Sequence, residues 1–121
     1  MDAEPPSRRL GREGESAALA IYLGRGYRRV ATNWSCRLGE IDLIVARHDT
    51  LVFCEVKARG GPAFGAPFEA VTRAKQRKLR MLAEAFLTSS TRSPREVRFD
   101  VASVTFDARG RANVFLFEQA F

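Results

Sequence analysis

The chain has 121 residues, 45% hydrophobic and 28% charged, the balance of one globular domain able to bury a core without disulfide or metal staples. No run approaches the roughly 18 apolar residues of a membrane span, and the opening MDAEPPSRRLGREGES has neither the apolar stretch of a secretory signal nor the acid-poor character of a transit peptide. Net charge is +6, carried mostly by arginine, which favours a polyanionic partner, nucleic acid first.

Residues 1–11 hold Pro5, Pro6 and mixed charge without a period and are expected to form a loose, flexible arm. The single domain is expected over 12–121. A helix is predicted over about 12–25, where Ala17, Ala18, Ile21 and Tyr22 recur at helical spacing and Gly24 and Gly26 supply the stop. A strand follows over about 27–34, then a turn at Arg37-Leu38-Gly39. GEIDLIVARHDTLVFCEVKAR, 39–59, reads as two strands joined at His48-Asp49, both apolar enough to be covered on each side. The glycines and prolines of 60–67 make a loop, placed to touch a substrate. Residues 68–87 have the best helical period in the chain, 96–106 a strand and 112–121 a last strand. The fold expected is α/β, a single mixed β-sheet flanked by helices in the order α-β-β-β-α-β-β, with the 68–87 helix long enough to cross between parallel strands.

Cys36 and Cys54 are the only cysteines and His48 the only histidine, which leaves no Cys/His zinc set. Cys54 alternates with Val52 and Val56 as a small buried hydrophobe, and a reducing, cytoplasmic setting is expected.

The hairpin turn sets a register in which Ile44 faces Phe53, Asp42 faces Glu55 and Glu40 faces Lys57. Strand alternation then brings Glu40, Asp42, Glu55 and Lys57 out on one face, continued toward the turn by Ile44, Ala46, Leu51 and Phe53. Ile41, Leu43, Val45, Val52, Cys54 and Val56 form the other. Facing carboxylates repel. They can be relieved by protonation, by a neighbouring base or by a hard divalent cation, which takes oxygen ligands. The plainer alternative is a Glu40–Lys57 ion pair with Asp42 at a wet strand edge.

On the 68–87 helix, Val71, Leu79, Leu82 and Phe86 make the apolar stripe. Lys75 falls in the middle of it and Lys78 beside it, either over a polar cleft or snorkelling from the core. Arg73, Arg77 and Arg80 fall on the opposite, solvated side. Glu15 shares its side of the first helix with Ala18, Leu19 and Tyr22, and points inward or sits as a first-turn acid favoured by the helix dipole. The face taken by Asp100 stays open.

G-E-I-D-L-I (39–44) with F-C-E-V-K (53–57) resembles the core of the restriction-endonuclease-like, PD-(D/E)xK, nuclease superfamily. With G-R-E-G-E-S-A-A (11–18), E-A-V-T-R-A-K-Q (69–76) and R-F-D-V (98–101), the chain from 11 to 105 is similar to the bacterial YraN family within it, and so to archaeal Holliday-junction resolvases. Ile41 replaces the proline of the superfamily's motif. The resemblance implies a restriction-endonuclease-like fold. It implies Asp42 and Glu55 as metal-binding carboxylates, joined by Glu15 and the carbonyl of Val56, with Lys57 as the catalytic lysine. Lys75 and Gln76 match the basic and amide residues of the following helix. The activity implied is a Mg²⁺- or Mn²⁺-dependent DNA endonuclease, on branched or otherwise structured DNA, with a homodimer open. Two other readings stay open: a catalytically inactive nucleic-acid-binding module, and a protein-interaction or assembly role without nucleic acid.

Overall fold

The computed structural model describes residues 6–59 and 71–121. Its elements are α1 (Pro6–Gly24), β1 (Arg28–Cys36), β2 (Gly39–Arg47), β3 (Thr50–Arg59), α2 (Arg73–Thr88), β4 (Glu96–Phe106) and β5 (Ala112–Phe117). The five strands form one sheet in chain order; β3 and β4 are parallel and the other neighbours antiparallel. This is the α/β class, sheet type and element order that the sequence predicts.

Three boundaries differ. Helix α1 begins at Pro6 and takes in residues 6–11, which the sequence places in a loose arm. Proline is tolerated in a first helical turn because its missing N–H has no intrahelical partner there. Helix α2 begins at Arg73, because Thr72 is extended and caps it, its hydroxyl accepting the N–H of Lys75 at 3.1 Å. Strand β5 stops at Phe117, short of the predicted 121. The expected substrate-touching loop at 60–67 lies outside the described residues. Among those residues no helix is long and apolar enough to cross a membrane.

The helices cover opposite faces of the sheet. Val71, Leu79, Leu82, Ala83 and Phe86 pack with Ile44, Leu51, Phe53, Phe99 and Val101 on one face. Ala18 and Tyr22 of α1 pack with Tyr27, Leu43, Val45, Val52, Cys54 and Ala102 on the other. Covering both faces explains why β2 and β3 read as near-continuous apolar runs. Arg80 is exposed, as expected, and lays its guanidinium over the rings of Phe99 and Phe121, at 5.1 and 5.6 Å.

Asp100 is wholly buried on the α1 side. It accepts from Tyr22 Oη at 2.6 Å, from Arg98 Nε at 2.9 Å and Nη2 at 3.0 Å, and from the N–H of Gln119 at 3.1 Å. Arg98 also donates to Tyr27 Oη at 2.9 Å and meets Glu118 at 3.4 Å. A buried ion pair is tolerated only when its remaining donors and acceptors are met, as here. The network ties α1, β4 and the C-terminal residues together. Asp100→Asn removes the buried counter-charge of Arg98, leaving it only the half-exposed Glu118, and is expected to cost about 3 kcal/mol. Urea unfolding should show a lower midpoint at unchanged slope; a loss under about 1 kcal/mol, the scale of exposed ion pairs, would show that the network holds little.

Candidate functional site

Strands β2 and β3 pair from Arg47↔Thr50 to Leu43↔Cys54, in the predicted register. There the ladder stops. β2 continues to Gly39 against β1, and β3 continues to Arg59 against β4. The sheet opens between them at Asp42 and Glu55. Asp42 fills the gap: its Oδ2 accepts the backbone N–H of Val56 at 2.8 Å. The carbonyl of Val56 points to the same side as its N–H, as in any strand residue, so it too faces this opening. The cross-strand rungs expected for Asp42–Glu55 and Glu40–Lys57 are therefore absent. Among the described residues no ion pair joins Glu40 to Lys57; Glu40 is exposed, and Glu55 instead meets Lys75 Nζ at 3.6 Å.

A second irregularity lies in β1. Its register with β2 shifts between Arg29↔Val45 and Ala31↔Ile44, so Val30 is an extra, bulged residue. The shift places Asn33 opposite Asp42, between the rungs Thr32↔Leu43 and Trp34↔Ile41. Without the bulge Thr32 would stand there. Asn33 has φ +52°, the left-handed region that asparagine tolerates better than most residues. Strand alternation breaks across this pair. Leu43 packs on the α1 side, yet Ile41, expected on the same face as Leu43 and Val45, packs with Trp34 and Ile44 on the α2 side. Asn33 then reaches α1, its Nδ2 donating to Glu15 Oε1 at 2.9 Å. Sequence reasoning passed over Asn33; its signal is a poor strand former in mid-strand.

Glu15 is half-buried and faces the opening; with α1 starting at Pro6 it lies well past the first helical turn, so the dipole reading of this acid falls away. Close packing holds it there. A Cβ on the buried Gly14 would stand 2.6 Å from Cβ of Ala58, so only glycine allows α1 to approach β3 this closely.

The electrostatics follow from four acids around one gap. Burial, then the charge of Glu55, then those of Glu15 and Glu40, push the Asp42 carboxyl up to about 7 against the lowering effect of the Val56 N–H. Glu15 is also raised, by burial first and by Glu40 and Glu55, with the Asn33 amide opposing. Perturbed carboxyls of this kind cluster at functional sites.

Helix α2 closes the other side. Lys75 reaches Glu55, so on its stripe it serves a polar cleft. Lys78 runs its stem over Gly39, where a Cβ would come within 3.2 Å of Lys78 Cε and where φ +146° itself demands glycine. Gln76 turns back on the segment that leads into its helix, Nε2 donating to the carbonyl of Val71 at 2.9 Å. Lys57 is partly buried, two residues beyond Glu55 on the same face of β3.

Among the described residues no three acidic, imidazole or thiolate side chains stand close enough together to hold a metal ion by themselves. The donor set still suits a hard divalent cation. Two carboxylates at mutual cost and a backbone carbonyl are oxygen ligands of the type Mg²⁺ takes, completed by waters and substrate phosphate.

A protein-family model, the uncharacterised protein family UPF0102, matches residues 14–104. The chain belongs to the UPF0102 family. A UPF0102 protein of Symbiobacterium thermophilum is 46% identical over 115 residues, 95% of this chain and 98% of that protein. One of Clavibacter michiganensis is 45% identical over 105 residues, 87% and 89% of the two. One of Pelotomaculum thermopropionicum is 43% identical over 113 residues, 93% and 94%. UPF0102 is the YraN-like family that the sequence motifs resemble, and the matched span holds Glu15, Asn33 and the whole opened hairpin.

The raised Asp42 carboxyl has a stability consequence. The folded state holds its proton more tightly than the unfolded chain, so its contribution is complete below about 3.8, the ordinary value, and is lost as pH rises to about 7. Metal-free wild type should therefore lose unfolding free energy across that window relative to Asp42→Asn. The check is chemical unfolding of both at several pH values in chelator; parallel curves would remove Asp42 as the titrating group.

Proposed function

We propose that this UPF0102 protein is a divalent-cation-dependent phosphodiesterase acting on DNA. The observation that carries the reading is the opened hairpin, where Asp42 leaves the ladder to stand against Glu55 in a half-buried gap, with lysines beside it. Asp42 and Glu55 would hold Mg²⁺ or Mn²⁺, with Glu15 and the Val56 carbonyl at its margin. When bound, the cation supplies Lewis-acid stabilisation of charge developing on the phosphate. Lys57 orients the attacking water and helps take its proton. Lys75 holds the Glu55 carboxylate and adds positive charge toward the phosphoryl oxygens. Gln76 is tied to the carbonyl of Val71 and helps fix the start of α2. Water adds to phosphorus, the opposite P–O bond breaks and the departing oxygen takes up a proton. The net charge of +6 supports sequence-independent phosphate contacts, and the motif resemblance to structure-selective resolvases supports branched DNA as the first substrate to test.

One observation favours a second reading, a nucleic-acid-binding module without catalysis: among the described residues three acids do not converge to hold a metal unaided. The two readings part in a cleavage panel of branched, flapped, single-stranded and duplex DNA with Mg²⁺ or Mn²⁺. Wild type is expected to cut at least one substrate. Asp42→Ala and Glu55→Ala should each lower the rate by more than about a hundredfold, beyond the loss typical of outer-shell partners, while leaving DNA binding largely intact. Full metal-dependent activity in Asp42→Ala would overturn the assignment, and binding without cleavage on every substrate would establish the second reading.

A further inference from the structure

Beside the acid cluster, α1 and β1 enclose two cavities of about 410 and 360 Å³ that share Arg12, Glu15 and Asn33. The first adds Arg8, Gly11 and Glu40; the second adds Ser16, Leu19, Arg29 and Thr32. Three shared lining residues make them one groove. Two of its lining acids, Glu15 and Glu40, are close enough to act on the Asp42 carboxyl, and the groove runs along the edge strand β1.

Its charge is mixed: Arg12 and Glu15 line both parts, Arg8 and Glu40 the first, and Arg29 the second, where Leu19 is an apolar wall. The Arg29 guanidinium is pinned, Nη1 donating to Thr32 Oγ1 at 2.9 Å. A guanidinium carries five donors in a rigid plane, so one anchored donor fixes the direction of the others at little further entropic cost. Pinned guanidinium groups of this type match phosphate oxygens in paired hydrogen bonds. The bulge at Val30 turns β1 at this point, between Arg29 and the residues facing Asp42.

We propose that this groove between α1 and β1 holds the sugar–phosphate backbone of one nucleic-acid strand as it leaves the acidic centre, with Arg29 and Arg12 on successive phosphates. The inference rests on the phosphodiesterase reading and extends it by naming the track of the substrate. Arg12 and Arg29 are substrate-binding residues here, and Asn33 positions Glu15 at the point where the track meets the cluster.

The test is fluorescence anisotropy of a short labelled DNA strand and its duplex without divalent cation, so that cleavage does not enter, over a series of salt concentrations. Arg29→Gln and Arg12→Gln should each weaken binding about threefold to tenfold. Each should lower the slope of log affinity against log salt by about 0.7 to 0.9, the value for one lost phosphate contact. Arg29→Lys should recover part of the affinity, and Arg92→Gln, at an exposed position before β4, should change neither quantity. All three positions are exposed, and circular dichroism should show each variant folded. If Arg29→Gln and Arg12→Gln bind like wild type while Asp42→Ala still abolishes cleavage, the groove is overturned and the nuclease reading stands. If wild type shows no salt-sensitive binding, both fall.

Discussion

One hydrogen bond decides the shape of the site, that from the N–H of Val56 to the carboxylate of Asp42. A strand N–H inside a protein must find an acceptor. In a regular hairpin a carbonyl of β2 would serve. Here the strands part after Leu43 and Cys54, and a side chain takes the carbonyl's place. Asp42 is drawn into the gap and brought against Glu55, and the Val56 carbonyl opens on the same space. The surrounding features fit that opening: the bulge at Val30, the left-handed Asn33 and the close passage of Gly14 over Ala58, which sets Glu15 at the edge of the gap.

Two aspartates, one buried and one half-buried, show what is unusual about this place. Asp100 is surrounded by donors, taking bonds from Arg98, Tyr22 and the Gln119 backbone. Its charge is met within the fold, and its role is structural. Asp42 has one backbone donor and is pushed up by burial and then by three acids. A fold that pairs one buried carboxylate so completely leaves the other in deficit, and such a deficit favours an external positive charge. Lys75 offsets part of it, at 3.6 Å from Glu55 and partly open to water.

Much of this was legible in the residues. The turn at His48-Asp49 set the register of the paired half of the hairpin, and the period of 68–87 separated the stripe of α2 from its arginines. Lys75 stood out because a lysine on an apolar stripe needs a reason. What alternation could not show was the open end. A period-2 pattern assumes that pairing continues, so it put Asp42 and Glu55 on one rung and Ile41 on the wrong face. The break comes from backbone choices, a bulge and a left-handed asparagine, that leave almost no mark on hydrophobic pattern. Asn33 has only its poor strand propensity to betray it. Asp100 could not be assigned a face because its neighbours Phe99 and Val101 are apolar on a strand covered on both sides. Its partner Tyr22 is distant in sequence.

The proposed activity requires the opened hairpin to hold a divalent cation through Asp42 and Glu55. Titration of Mn²⁺ into wild type, Asp42→Ala and Glu55→Ala, followed by calorimetry together with the thermal unfolding midpoint, tests it without any assumption about substrate. Wild type should show one saturable site and a rising midpoint as Mn²⁺ is added, and each substitution should abolish both. No saturable binding to wild type, or binding unchanged in both variants, would contradict it.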